Sequence, residues 1–261
     1  MLQKINGVEL FVESYGQGEP VILVHGLTAD HHSMENIGEW LKDDYQVILY
    51  DCRGHGQSEK PAHYTLMDHA QDLLGIMDFY GLTQANVIGE SMGTYISQQA
   101  AILAPERFRK LILLVPKAHG KTSSVQRLLE EAGKSLNEVS QEEMMAIIGK
   151  ATYAPTTPKE MILQAMEKMA GGVELTPKQK AAVDEALAGF DLRPNLGKIT
   201  CPTLVCSGKY DGLNPPDMGR EVADLIPNAR FELFEHSGHL LVVEEEEKCK
   251  QLVRNFLQEA K

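Results

Sequence analysis

Six short apolar runs punctuate the chain: VILVHG at 21–26, QVILYD at 46–51, NVIG at 86–89, LILLVP at 111–116, TLVCSG at 203–208 and FELFEH at 231–236. Each is too short to form a stable helix and is bounded by turn residues, and five of the six carry Val or Ile. Such runs fit strands buried on both faces of a mostly parallel sheet, where polar alternation is lost. Helical spacing fills most of the gaps. MDHAQDLLGIMDFYGL (67–82) ends near Gly81, MGTYISQQAAILAP (92–105) stops at Pro105, and the tail after Glu244 groups Leu252, Val253 and Phe256 on one side. Strand alternating with helix predicts an α/β fold with a doubly wound sheet. QKINGVELFVESYG alternates about Asn6-Gly7, which predicts an N-terminal antiparallel hairpin with a type I′ turn.

One stretch breaks this rhythm. Between Lys117 and Leu196 the pattern is helical only, as in SSVQRLLEEAG, EEMMAIIGKA, KEMILQAMEKMA and KQKAAVDEAL, with Pro158 and Pro177 where a first turn tolerates them. Strand-forming sequence then resumes at Thr203. The expected organisation of the 261 residues is a core of 1–116 plus 197–261, with 117–196 inserted as a helical cap over one edge of the sheet.

Composition narrows the function classes. The net charge of −12 repels a phosphate backbone, and no local Lys/Arg run offsets it, so nucleic acid is not an expected partner. The longest apolar runs cannot span a bilayer, and the N-terminus lacks the apolar core of a secretory signal. Cys52, Cys201, Cys206 and Cys249 lack zinc-site spacing, and Cys201 and Cys206 are expected on opposite faces of one strand. Four unpatterned thiols suit a reducing compartment, so the expected location is cytoplasmic, with the oligomeric state left open.

The chemistry concentrates at Gly89-Glu90-Ser91-Met92-Gly93, where a strand should pass straight into a helix. A turn that sharp holds Ser91 in a strained backbone conformation, at a cost of roughly 1–3 kcal/mol. The flanking glycines remove side chains that would collide as the helix doubles back. This is the nucleophile elbow, weighed against a bland alternative in which Ser91 merely caps the helix. A serine hydroxyl needs a base. His239 in FEHSGHLLV is the candidate, since Gly238 lets the loop bring it over the sheet; His236, nearer the strand end, reads as a packed or exposed loop residue. The orienting acid is expected after a strand and between serine and base, which selects Asp211 in SGKYDGLNP over Asp217, at a helix start, and Asp191. The backbone N–H groups of Leu27 and Met92 are the expected oxyanion donors. His25 reads as structural, its ring bonding loop carbonyls that shape that hole.

With these residues in place, the sequence resembles the α/β-hydrolase superfamily. The resemblance rests on His25-Gly26, the run Asp51 to Ser58 (DCRGHGQS), the elbow, Asp211 and His239, and it covers essentially the whole chain. It implies that Asp51, Arg53 and His55 are scaffold. Its nearest subgroup holds carboxylesterases, enol-lactonases, cofactor-free haloperoxidases, proline iminopeptidases and carbon–carbon bond hydrolases. Thr94 departs from relatives that carry a second glycine there. The implied function is a serine hydrolase that needs no cofactor or metal and acts on a small, apolar carboxylic ester or lactone through an acyl-enzyme. The alternatives are an aminopeptidase-like or carbon–carbon bond hydrolase on the same residues, or a ligand-binding or signalling module of low turnover. Met144, Met145, Met161, Met166 and Met169 either line an adaptable acyl pocket or pack the cap, and the EEEEK run at 244–248 reads as a solvated first turn of the last helix.

Overall fold

A computed structural model describes residues 1–135, 138–169 and 173–259, with the side chains of 166–169 left out. Eight strands form one sheet: β1 (Leu2–Ile5), β2 (Val8–Tyr15), β3 (Glu19–Val24), β4 (Tyr45–Tyr50), β5 (Ala85–Glu90), β6 (Phe108–Leu114), β7 (Thr203–Gly208) and β8 (Ala229–Phe234). Their spatial order is β1-β2-β4-β3-β5-β6-β7-β8. The first two strands pair antiparallel with each other, and β2 pairs antiparallel with β4. Every other ladder is parallel. Asn6 (φ 48°) and Gly7 (φ 81°) form the turn between β1 and β2, both left-handed as a type I′ turn requires.

The helices of the core are α1 (Glu35–Leu41), α2 (Leu66–Phe79) and α3 (Met92–Leu103), and in the later part of the chain Pro216–Leu225, Leu241–Glu244 and Glu246–Gln258. Between β6 and β7 lie α4 (Ser124–Glu131), α5 (Gln141–Thr152), α6 (Lys159–Met169) and α7 (Pro177–Ala186), so the last three core helices are α8, α9 and α10. Adjacent residues of the central strands face two different cores. Ile22 and Val24 of β3 pack with Leu73 and Ile96 from α2 and α3. Val21 and Leu23 of the same strand pack with Trp40 and Phe256 from α1 and α10. Burial on both faces is why these strands are uniformly apolar.

Cys206 lies in β7, whereas Cys201 precedes the strand, which starts only at Thr203; the expectation of one strand carrying both thiols is corrected. All four cysteines are buried, and Cys52, Cys206 and Cys249 are free thiols. Among the described residues no helix is long and apolar enough to cross a membrane.

Candidate active site

β5 runs into α3 with Ser91 alone between them, at φ 50° and ψ −114°. The two flanking glycines answer to different neighbours. A Cβ on Gly89 would stand 2.5 Å from the Gly93 carbonyl oxygen, so there the helix does crowd its own strand. A Cβ on Gly93 would instead collide with the Val24 carbonyl oxygen at the end of β3. The elbow is thus pinned from its own helix and from the adjacent strand. Ser91 makes no side-chain cap bond to α3, which leaves the bland capping role without support. Thr94 donates its hydroxyl to the Ser91 carbonyl at 2.6 Å.

Three loops at the same sheet edge meet over Ser91. His239 Nε2 lies 3.0 Å from Ser91 Oγ, and His239 Nδ1 lies 2.7 Å from Asp211 Oδ2. The other Asp211 oxygen accepts the N–H groups of Leu213 (2.8 Å) and Asn214 (2.9 Å), which fixes the carboxylate plane. Burial opposes charge on His239, but the Asp211 carboxylate and its hydrogen bond, with Glu90 adding to them, hold the imidazole above its ordinary value. The rivals fall elsewhere. Asp191 is engaged by Arg193, whose hydrogen bond carries it down to about 2. Asp217 sits in the first turn of α8, and His236 is exposed.

Neither the Leu27 nor the Met92 N–H has a hydrogen-bond acceptor among the described residues. Behind Leu27, the His25 ring donates from Nδ1 to the Gly26 carbonyl (2.8 Å) and accepts the Cys52 N–H at Nε2 (2.9 Å), as a neutral imidazole does. Asp51 accepts the N–H and Nδ1 of His31, and Arg53 forks onto Asp72 at 2.6 Å. These side chains have their bonding satisfied within the fold.

Sequence reasoning missed how the β6–β7 helices grip these loops. The Ala151 and Thr152 carbonyls end α5 and need donors from outside the helix. Gly212 N–H bonds the Ala151 carbonyl (2.8 Å), and His239 N–H bonds that of Thr152 (2.6 Å). Arg127 of α4 donates to the Gly212 carbonyl. Glu244 completes the grip: Oε1 accepts from Ala154 N–H (2.7 Å) and Thr157 Oγ1 (2.5 Å), while Oε2 accepts from Gly238 N–H (2.8 Å). Glu245 accepts from His236 N–H and the Ser237 hydroxyl. The reading of 244–247 as solvated therefore holds for Glu246 and Glu247 only; the first two carboxylates are spent on loops. An acid five residues past His239 was the visible signal, hidden inside a run of like residues.

Tyr95 was missed as well. Its phenol lies buried by Ser91 and accepts the Asn214 amide at 2.9 Å, and burial pushes its pKa up so that it stays protonated. Of the five methionines, Met144 and Met161 are half-buried and Met145 is 58% exposed, while Met166 and Met169 lie outside the described side chains.

An open parallel sheet with a strained serine at a strand–helix turn, and with histidine and acid on later loops, defines a class, and the comparisons agree with it. A family profile described as alpha/beta hydrolase fold matches residues 19–246, and the chain belongs to that family. It is 30% identical to a 2-hydroxy-6-oxo-6-phenylhexa-2,4-dienoate hydrolase of Comamonas testosteroni, over 94% of this chain and 89% of the relative. Among solved structures it superposes on the enol-lactonase of Burkholderia xenovorans LB400 with a TM-score of 0.86, at 26% identity, covering 99% of this chain and 100% of the other. A thermophilic esterase from Thermogutta terrifontis gives a TM-score of 0.82 at 28% identity, with 99% and 98% covered.

Proposed function

We propose that this hydrolase is a serine esterase or lactonase that acts on a small carboxylic ester. Ser91 Oγ attacks the carbonyl carbon as His239 Nε2 takes its proton. The oxyanion is held by the N–H groups of Leu27 and Met92. Asp211 keeps His239 in the Nδ1–H tautomer and stabilises the imidazolium. That imidazolium then protonates the departing alkoxide, and water, deprotonated by His239, releases the acid from the acyl-enzyme. The observation that carries this reading is the continuous line Ser91 Oγ–His239–Asp211, at 3.0 Å and 2.7 Å. The esterase and enol-lactonase likenesses support the choice of bond, and this reading takes helices α4 to α7, between β6 and β7, as a cap (117–196). The buried free thiols of Cys52, Cys206 and Cys249 support a cytoplasmic setting.

A second reading, carbon–carbon bond hydrolysis, is favoured by the 30% identity to the dienoate hydrolase. The aminopeptidase alternative gains nothing, because Glu130, Glu131, Glu142 and Glu143 are all exposed rather than gathered over Ser91.

p-Nitrophenyl esters of increasing acyl length, assayed on wild type and Ser91→Ala, test the proposal. The expected result is a loss of about a thousandfold or more in kcat for the variant, with its circular dichroism and melting curve unchanged. Equal rates in both proteins would displace Ser91 as nucleophile. Turnover of the dienoate but of no ester would move the assignment to the carbon–carbon reading.

A further inference from the structure

Beside the acid loop, at the junction of β6 and α4, lies a cationic cluster that ester cleavage does not require. Lys117 is only 6% exposed. Its ammonium donates to one acceptor, Ser124 Oγ at 3.0 Å, and stands 5.4 Å from the centroid of the Tyr95 ring. Among the described residues no carboxylate pairs with it. Burial pushes Lys117 down to about 8, Arg127 adds to this, and the Asp211 carboxylate opposes it. An ammonium taken out of water is unfavourable by several kcal/mol unless an anion and hydrogen bonds compensate.

The ammonium borders a cavity of about 100 Å³ whose wall includes His119, Lys121, Ser124, Arg127 and Met218 and no acidic residue. Arg127 is already committed to Glu131 and the Gly212 carbonyl, and Lys121 is exposed at the mouth. His119 Nδ1 is buried without a partner. The cavity therefore offers the spare donors of Lys117 and the imidazole of His119. Its wall is joined to the Asp211 loop through hydrogen bonds. Ser124 Oγ donates to Asn214 Oδ1 (3.2 Å), and Asn214 in turn donates to Tyr95 Oη and to Asp211.

We propose that this cavity is a subsite for a carboxylate carried by the substrate at the end remote from the cleaved bond, with Lys117 as its chief partner. The preferred substrate is then a monoester of a dicarboxylic acid, or a lactone bearing a free carboxylate. A carboxylate here supplies the counter-charge that the fold withholds, through charge-assisted hydrogen bonds. The local charge matters because the whole chain, at −12, repels anions, so a pocket without acids is needed to admit one. This inference rests on the hydrolytic role proposed for Ser91.

The test compares p-nitrophenyl monoesters of succinate, glutarate and adipate with neutral p-nitrophenyl esters of matching chain length, on wild type and Lys117→Met. At the best length, the ratio of kcat/KM for the anionic over the neutral ester should exceed one in wild type. It should fall at least tenfold in Lys117→Met. If Lys117 served only to hold Ser124 and Asn214 beneath Asp211, both esters would slow equally and the ratio would stand, which overturns the subsite. Should Lys117→Met fail to fold, Lys121→Met at the exposed mouth should still lower the ratio two- to fivefold. Calorimetric titration of glutarate into Ser91→Ala separates this inference from the esterase reading. Glutarate binding that Lys117→Met abolishes, without any ester turnover in wild type, keeps the subsite and removes the esterase. Hydrolysis of neutral esters with no glutarate binding and no change of ratio does the reverse.

Discussion

Asp211 divides its work between two oxygens. Oδ2 holds His239, while Oδ1 holds the backbone of Leu213 and Asn214. Asp211→Asn leaves an amide that can keep one of these jobs in good geometry but removes the negative charge that favours the imidazolium. Kcat should fall by about four orders of magnitude, as in triads of this kind; an equal loss from Asp191→Asn, with Asp211→Asn harmless, would displace the acid. The same charge sets the pH profile. With its pKa raised above the ordinary 6.5, His239 is protonated, and unable to act as base, over a wider acid range than a free imidazole. In wild type kcat/KM should therefore fall with decreasing pH through a midpoint above 6.5, and a rate flat down to pH 5 would exclude His239 as the base. Ser91, Asp211 and His239 were legible one by one because an elbow and two strand-end loops carry residue types that few other roles explain. Lys117 and Tyr95 were not, since a lone lysine and a helical tyrosine signal nothing until the chain brings them together.

At the scale of elements, the loops that carry Asp211 and His239 hang from the C-terminal end of α5, and Glu244 ties both parties together. Glu244→Ala would strip acceptors from Ala154, Thr157 and Gly238 at once. A hydrogen bond to a charged group contributes about 1.5–3 kcal/mol when buried, and Glu244 is only half-buried. A total loss of about 1–3 kcal/mol is expected, a fall in Tm of several degrees. Because Gly238 adjoins His239, kcat should drop as well. Glu246→Ala and Glu247→Ala, on the exposed turn, should stay within about 0.5 kcal/mol of wild type. Thermal melts and kcat on the three variants check this, and equal, small effects in all of them would mean that the Glu244 bridge does not bear on the loop. The sequence located α2, α3 and the final helix within a few residues, because Gly81 and Pro105 punctuate the first two and an apolar stripe marks the third. It could not say that the helices between β6 and β7 grip the loops of Asp211 and His239, because the bonds from Gly212 and His239 to the end of α5 run between backbone groups that carry no residue-type signal.

The whole molecule should be sensitive to acid, and the cause is internal. His25, His55 and His69 lie buried in a row, the His25 and His55 rings 5.3 Å apart and those of His55 and His69 6.5 Å apart. Burial lowers all three, with neighbouring imidazoles adding to it for His55, which comes down to about 3. His55 Nε2, His69 Nε2 and the Tyr64 hydroxyl have no hydrogen-bond partner among the described residues, and the Asp51 carboxylate, which favours charge on His25 and His55, is outweighed by burial. The unfolded chain takes up these protons near pH 6.5, while the folded chain resists them. Stability must then fall as pH drops below 6.5, by up to about 1.4 kcal/mol per pH unit for each ring. His31 and His239, whose values are raised, favour the folded state at and below 6.5 and lose that contribution above their folded pKa, so they do not cancel this acid slope. Urea unfolding at pH 7 and pH 5 should show a clearly lower midpoint at pH 5; an unchanged midpoint would refute the neutral, buried rings.

The sequence by itself determined the order of strands and helices, the elbow and the chemical types placed after β5, β7 and β8. Those follow from short-range rules: apolar run length, turn residues, and the steric need for glycine at 89 and 93. Only the tertiary structure decided which acid faces which histidine, that Glu244 holds a loop when Glu246 does not, and that Lys117 is buried with no counter-ion among the described residues. Each of these depends on distances between residues tens of positions apart, set by how the sheet twists and how the helices between β6 and β7 settle on its edge. No local pattern in the chain records such distances.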